Sequence, residues 1–243
     1  MSELELYPGL NQPLEFKQFA EREELERDLC ARICKLLQAG IENRGEAALV
    51  VSGGRTPAGL FQRLSEQPLE WSKVLVTLAD ERWVDHQHQD SNERSVRSHL
   101  LQNCAAAARF LPLVNAETTP HDGQSETELL LSMLPERVDA VILGMGEDGH
   151  TASFFPAAPE LAQALDPQPA SDCVAVTPPE APWKRMTLTL PRLLASGEII
   201  VHLCGEAKLP VLQQALEDGA IEEMPIRSVL RQKSTPVVIY WAP

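Results

Sequence analysis

His150 closes the segment GMGEDGH, residues 144–150, directly after the apolar run VDAVIL of residues 138–143. Two chemistries fit these residue types. Glycines at 144, 146 and 149 have the G-x-G-x-x-G spacing of a dinucleotide-binding turn. An imidazole at a strand end, with Asp148 close before it, can instead take up a proton near neutral pH. A nucleotide site also needs a long helix after the glycines and an acidic residue about 20 positions on, at the end of a second strand. Here residues 156–169 hold four prolines and break such a unit, and Asp172 stands before an apolar run instead of after one. The turn therefore reads better as a support for His150, although a histidine taken alone is more often structural.

Three further stretches carry residues that could join it. In VSGGRTP, residues 51–57, Gly53 and Gly54 allow a ligand close to the backbone, and Thr56 stands at a helix start whose free N–H groups attract anions. A tight strand-to-helix turn would use the same residues, and the spacing and lysine of a Walker loop are absent. In LADERWVDHQHQDSNER, residues 78–94, Asp80, Glu81 and Arg82 leave a strand together; a charge run is also the mark of a solvated surface. His86 and His88, with Asp85 and Asp90, are metal-ligand types but share one loop with no further matching ligand, so no metal is assigned. In HLCGEAKLP, residues 202–210, Lys208 falls in the first turn of a helix, where the dipole disfavours a cation. An anion within reach explains it, and so does plain solvation. Arg185 in WKRMTLTLP starts a strand and is open to both readings.

Charge limits the partners. The 243 residues carry a formal net charge of −14, a field that repels nucleic acid and anionic membrane, so neither is expected to bind. An anionic substrate has to be held by a local cluster of donors. Hydrophobic residues at 44% and charged residues at 23% are ordinary for a soluble globular protein. No apolar run approaches the ~20 residues of a bilayer span. The opening MSELELYPGLNQPLEF lacks the basic start and apolar core of a signal peptide, so a cytoplasmic location is expected. Five cysteines (30, 34, 104, 173 and 204) form no C-x-x-C pair and read as reduced, buried thiols.

The elements that must position these residues alternate along the chain. Leu25, Leu29, Ile33, Leu36 and Leu37 recur at helical spacing between about Lys17 and Gln38, with Gly40 as the expected stop. EAALVVSGG, KVLVTLAD, FLPLV, DAVILG, CVAVT, RMTLTL, EIIVHLCG and PVVIYW read as strands. Helices are expected over 58–65 with Thr56 as N-cap, over 92–102 capped by Ser91, in TELLLSML, near 191–195 and in AKLPVLQQALEDG; residues 156–169 read as irregular. Pro210 falls in a first turn, where its missing N–H costs little. Apolar strands alternating with helices predict a mainly parallel sheet in a three-layer α/β sandwich, with one domain over residues 1–243. Ligands of such sheets bind beyond the carboxyl ends of the strands, where these loops lie.

Taken together and in this order, the glycine turn before Thr56-Pro57, DERWV followed by SN, GMGEDGHTASFFP, RMTLTLP and GEAK resemble the 6-phosphogluconolactonase family, from about residue 15 to 240. The resemblance implies a fold shared with glucosamine-6-phosphate deaminases and hydrolysis of 6-phospho-D-glucono-1,5-lactone, a step of the pentose phosphate pathway. It implies no metal and no nucleotide cofactor. The family's proposed base matches His150, with Asp148 to orient it and Arg82 to stabilise an oxyanion or bind substrate oxygens. Ser52, Gly53, Gly54, Thr56, Asp80, Arg185 and Lys208 are the expected substrate and phosphate contacts. Arg55 stands where relatives often have serine and is expected to alter or add a phosphate contact, and Asp85 stands where many have proline. Deaminases carry a glutamate-proline pair where this chain has Phe155-Pro156, which argues against that activity. The expected assembly is a monomer or weak homodimer.

Overall fold

The structure, a computed structural model, describes residues 14–243. Most of the opening stretch read for a signal peptide lies outside the described residues. In chain order the strands are β1 (Glu15–Gln18), β2 (Ala47–Val51), β3 (Val74–Leu78), β4 (Asp80–Arg82), β5 (Arg109–Leu111), β6 (Val138–Leu143), β7 (Cys173–Val176), β8 (Arg185–Leu188), β9 (Ser196–Cys204) and β10 (Val237–Ala242). The α-helices are α1 (Arg22–Arg44), α2 (Ala58–Ser65), α3 (Asn92–His99), α4 (Pro120–Leu131), α5 (Leu161–Leu165), α6 (Leu190–Leu194), α7 (Lys208–Leu216) and α8 (Ile226–Leu230).

Seven strands make one all-parallel sheet in the order β1-β10-β9-β6-β2-β3-β5. Every residue of β2, β3, β6 and β10 is buried, as expected where helices cover both faces of a parallel sheet. Helix α1 lays Leu25, Leu29, Ile33, Leu37 and Ile41 against β2, β6 and β10, and α6 packs on β9. The apolar side chains join in one continuous core. All five cysteines are unpaired, and among the described residues no helix is long and apolar enough to cross a membrane.

The stretch KVLVTLAD is not one strand. At Ala79 the chain leaves the parallel sheet, its N–H donating to the Val51 carbonyl at 2.8 Å while its own carbonyl accepts from Leu188 N at 2.8 Å. Residues 80–82 then pair antiparallel with β8, which pairs antiparallel with β7, to give a second, three-stranded sheet. Both segments are extended and continuous in sequence, so periodicity could not reveal the change of partner. Side chains alternate along a strand, so Asp80 and Arg82 share one face and Glu81 takes the other.

Several boundaries differ from the sequence reading. Lys17 lies in β1, an edge strand fixed by pairing with β10, and the first helix begins at Arg22. That helix runs past Gly40 to Gly45, whose φ of 83° supplies the left-handed turn and whose N–H bonds Ile41 O at 2.8 Å. Helix α3 stops at His99, short of residue 102, and α5 and α8 are short helices in stretches not predicted helical. Thr56 does not cap α2: Pro57 takes the cap position with φ −82° and ψ 0°, and no side chain bonds the first turn.

Gly40 is interior to α1 because Asp139 needs its space. A Cβ there would stand 2.4 Å from Asp139 Oδ1, and that carboxylate receives Ala48 N at 2.9 Å and pairs with Arg44. Gly40→Ala is therefore expected to destabilise the fold by about 1–3 kcal/mol through overpacking, reversing the ~1 kcal/mol gain that helix propensity alone would give. Urea unfolding checks the sign: a midpoint above wild type contradicts the Asp139 contact.

Candidate active site

A cleft of about 340 Å³ opens at the carboxyl ends of β2, β6 and β9, with β4 and β8 along its side. Ser52, Gly53, Gly54, Thr56, Asp80, Arg82, His150, Arg185 and Lys208 all line it. Asp148 reaches it through His150. Arg55 does not line it: its side chain is exposed to solvent on the turn.

The GMGEDGH segment folds back on itself. Gly146 N donates to the His150 carbonyl at 2.8 Å, and Gly149 N to the Gly146 carbonyl at 3.2 Å. The imidazole lies directly over Gly146, where a Cβ would fall 2.1 Å from His150 Nδ1. Gly149 adopts φ 75° and its carbonyl receives Ile226 N at 2.9 Å, tying the turn to α8. Thr151 Oγ1 donates to the Gly144 carbonyl at 2.8 Å. The glycines thus let this turn close beneath an imidazole.

His150 Nδ1 lies 2.6 Å from Asp148 Oδ1, which also accepts the His150 backbone N–H at 3.1 Å. Burial works against ionising Asp148, but the hydrogen bond and charge of His150 prevail and hold its carboxyl below the usual range. A carboxyl depressed in this way stabilises the fold above its unfolded value, about 4, and that contribution is lost as pH falls through the folded value. An ionised carboxylate only accepts, so Nδ1 carries a proton, and in the neutral imidazole the free lone pair is on Nε2. The Phe155 ring covers the imidazole, with centroids 4.5 Å apart.

Three cations face this dyad. Arg82 and Arg185 are directly opposed in the β4–β8 register, an unfavourable like-charge pair unless an anion joins them. The Arg185 guanidinium is buried and stands 5.7 Å from the Phe155 ring centre. Burial and the nearby Arg82 hold its pKa below the ordinary value despite Asp80. Lys208 opens α7 and donates from Nζ to the Met145 carbonyl at 2.9 Å, which leaves the ammonium with further donors.

Several buried polar atoms of the cleft have no hydrogen-bond partner among the described residues. Ser52 Oγ, Asn92 Oδ1, Arg185 Nε and His202 Nδ1 all lack one, and all four residues line the cleft. Four of the seven such atoms among the described residues belong to this one cleft, which suits a polar ligand, while those of Thr189, Arg192 and Ser196 lie elsewhere. His202 lies under the cleft floor, and burial pushes its imidazole down to about 4, so it is neutral at pH 7.

The carboxylates divide by face. Asp80 accepts from Ser153 Oγ at 2.5 Å inside the cleft wall. Glu81 points away and receives Arg82 N, Asn92 N and Glu93 N at 2.7, 2.9 and 2.7 Å, closing the start of α3 together with Ser91 Oγ. Burial pushes the Glu81 carboxyl up to about 7 against those three amides. Sequence reasoning gave no place to Asn92, Ser153 or His202. Asn92 had one signal, its position just after the cap Ser91; it packs on Gly53, where a Cβ would come within 2.0 Å of Asn92 Oδ1. His86 and His88 do not build a metal site, and among the described residues no three His, Cys, Asp or Glu side chains converge on one.

The family model for glucosamine-6-phosphate isomerases/6-phosphogluconolactonase matches residues 20–240. The chain belongs to this family. It is 39% identical to a 6-phosphogluconolactonase of Pseudomonas aeruginosa over 100% of this chain and 99% of that protein. A 6-phosphogluconolactonase of Rhizobium meliloti is 43% identical over 91% of this chain and 94% of its own. The crystal structure of a 6-phosphogluconolactonase from Shewanella baltica superposes with a TM-score of 0.94 at 46% identity, covering 97% of this chain and 100% of that one. A monomeric glucosamine-6-phosphate deaminase shares the fold, with a TM-score of 0.76 at 18% identity over 93% of this chain and 97% of its own.

The dyad geometry fixes a tautomer. In nitrogen-15 histidine spectra, neutral His150 is expected to carry its proton on Nδ1, and Asp148→Ala is expected to move population to the Nε2–H form. An Nε2–H form in the wild type contradicts the dyad.

Proposed function

We propose that the chain hydrolyses 6-phospho-D-glucono-1,5-lactone to 6-phosphogluconate, in the pentose phosphate pathway, with His150 as general base. The observation that carries this reading is the His150–Asp148 pair, 2.6 Å apart, in one cleft with Arg82, Arg185 and Lys208. The near full-length identity to 6-phosphogluconolactonases supports it.

A lactone is an activated cyclic ester, so attack by water suffices. His150 Nε2 takes a proton from a water as its oxygen bonds to C1, and the lactone carbonyl becomes an oxyanion facing Arg82. Asp148 stabilises the imidazolium that forms. As the carbonyl reforms, the bond from C1 to the ring oxygen breaks and His150 returns its proton to that oxygen. The products are the C5 hydroxyl and a carboxylic acid, which ionises. No metal, nucleotide or covalent intermediate enters these steps.

The 6-phosphate binds at the Ser52–Thr56 turn and Lys208, and Arg185, beside Arg82 and Phe155, adds positive charge along the substrate from the reacting side. Uncapped amides of α2 and the hydroxyls of Ser52 and Thr56 complete its donors. Arg55 contributes long-range positive charge from outside the cleft. Phe155 occupies one side of the imidazole, so no carboxylate serves there as the partner an amino-sugar deaminase would use. We assign the cytoplasm as the compartment, in keeping with five unpaired cysteines. The chain acts as one domain, as a monomer or weak homodimer, and its acidity argues against nucleic-acid or membrane partners.

His150→Ala is expected to lower kcat by about 10²–10⁴-fold and to leave 6-phosphogluconate binding nearly intact. Turnover near wild type, after subtraction of spontaneous ring opening, contradicts the assignment of the base. Lys208→Ala is expected to lower kcat/KM for the phosphorylated lactone by about ten- to a hundredfold, the value of a charge-assisted contact, with little loss on gluconolactone. Equal losses on both substrates return Lys208 to a solvated surface role.

A further inference from the structure

The loop after β4 and the end of the β7–β8 connection, just before β8, meet beside the cleft. Trp183 donates its indole Nε1–H to Asp90 Oδ2 at 2.9 Å. Its ring meets His88 edge-on, with centroids 5.2 Å apart and planes at 75°. Asp90 N donates to His88 Nδ1 at 3.1 Å, and the Asp90 carbonyl accepts Arg82 Nη1 at 2.7 Å. Asp90 is thereby held through its carboxylate, its amide and its carbonyl at once. Beside it, Trp83 N donates to the Lys184 carbonyl at 2.8 Å, so two successive residues at the entry to β8 are tied to the chain that leaves β4.

The arginine needs such a hold. Its side chain has many rotamers, and Arg185 repels it from the facing strand, so an unanchored Arg82 would swing to solvent. We propose that Trp183 is a positioning residue: through Asp90 it fixes the Arg82 guanidinium beside the reacting carbonyl. Residues 85–91 and the chain entering β8 then act as one clamp on that side of the cleft. A neutral indole suits this task because it engages the Asp90 carboxylate without adding a third positive charge beside Arg82 and Arg185. This inference rests on the lactonase reading.

Trp183→Phe keeps a ring against His88 and removes the indole N–H. It is expected to lower kcat/KM by about three- to tenfold, the range of one hydrogen bond. The same change in an Arg82→Ala background is expected to cost nothing further, because Trp183 acts through Arg82. Asp90→Asn, which keeps an oxygen acceptor, is expected to recover most of the rate lost in Asp90→Ala. Equal losses from Trp183→Phe in both backgrounds, or no loss in either, overturn the proposal. Amide hydrogen exchange over residues 85–91 is read on the same proteins and is expected to quicken in Trp183→Phe. If the wild type fails to hydrolyse the lactone, the functional reading falls, and the clamp is judged by exchange alone: unchanged rates overturn it.

Discussion

The antiparallel pairing of β4 with β8 sets Arg82 across from Arg185, and the cleft is organised around those two like charges. A chain of net charge −14 gains no anion affinity from its overall field, so it must place cations where they repel one another. The fold maintains that arrangement from several directions. Asp80 and Asp90 lie close enough to offset the charge, Phe155 backs the Arg185 guanidinium, and the Asp90 carbonyl holds Arg82. A bound anion would relieve the remaining repulsion, which makes this side of the cleft a site prepared for its ligand.

The opposite side depends on the absence of a side chain. Gly146 leaves room for the imidazole to lie on its own turn, and the turn's two backbone bonds then bring Asp148 within reach of Nδ1. One glycine thus sets both the direction of the imidazole and the tautomer of its neutral form. The strand that precedes it is wholly buried, so the turn projects from a rigid base at the carboxyl end of the sheet. The dyad and the two arginines therefore come from different sheets and share one cleft.

Much of this was legible in the sequence because the signals were local. The apolar runs that became β2, β6, β9 and β10 are too hydrophobic to be anything but buried, and the polar loops after three of them line the cleft. His150, Lys208 and the glycine turn could be placed at strand or helix ends from spacing alone. What was not legible depended on long-range pairing. Residues 73–80 read as a single strand, and only the partners Val51 and Leu188 of Ala79 show where the chain changes sheet. Gly40 looked like a helix stop because its neighbour Asp139 is 99 positions away in sequence. Glu81 looked like its neighbours Asp80 and Arg82, yet strand alternation sent it to the start of α3. Arg55, by contrast, had the right charge in the right loop and points to solvent.

The central claim is a direction of binding: phosphate at the Ser52–Thr56 turn and Lys208, reacting carbon at His150. A crystal structure of the chain with 6-phosphogluconate tests it in one measurement. The account predicts phosphate oxygens in hydrogen-bond contact with Lys208 Nζ and the turn, and the C1 carboxylate between His150 Nε2 and Arg82. A ligand bound the other way round, with its carboxylate on Lys208 and its phosphate beside His150, would contradict it.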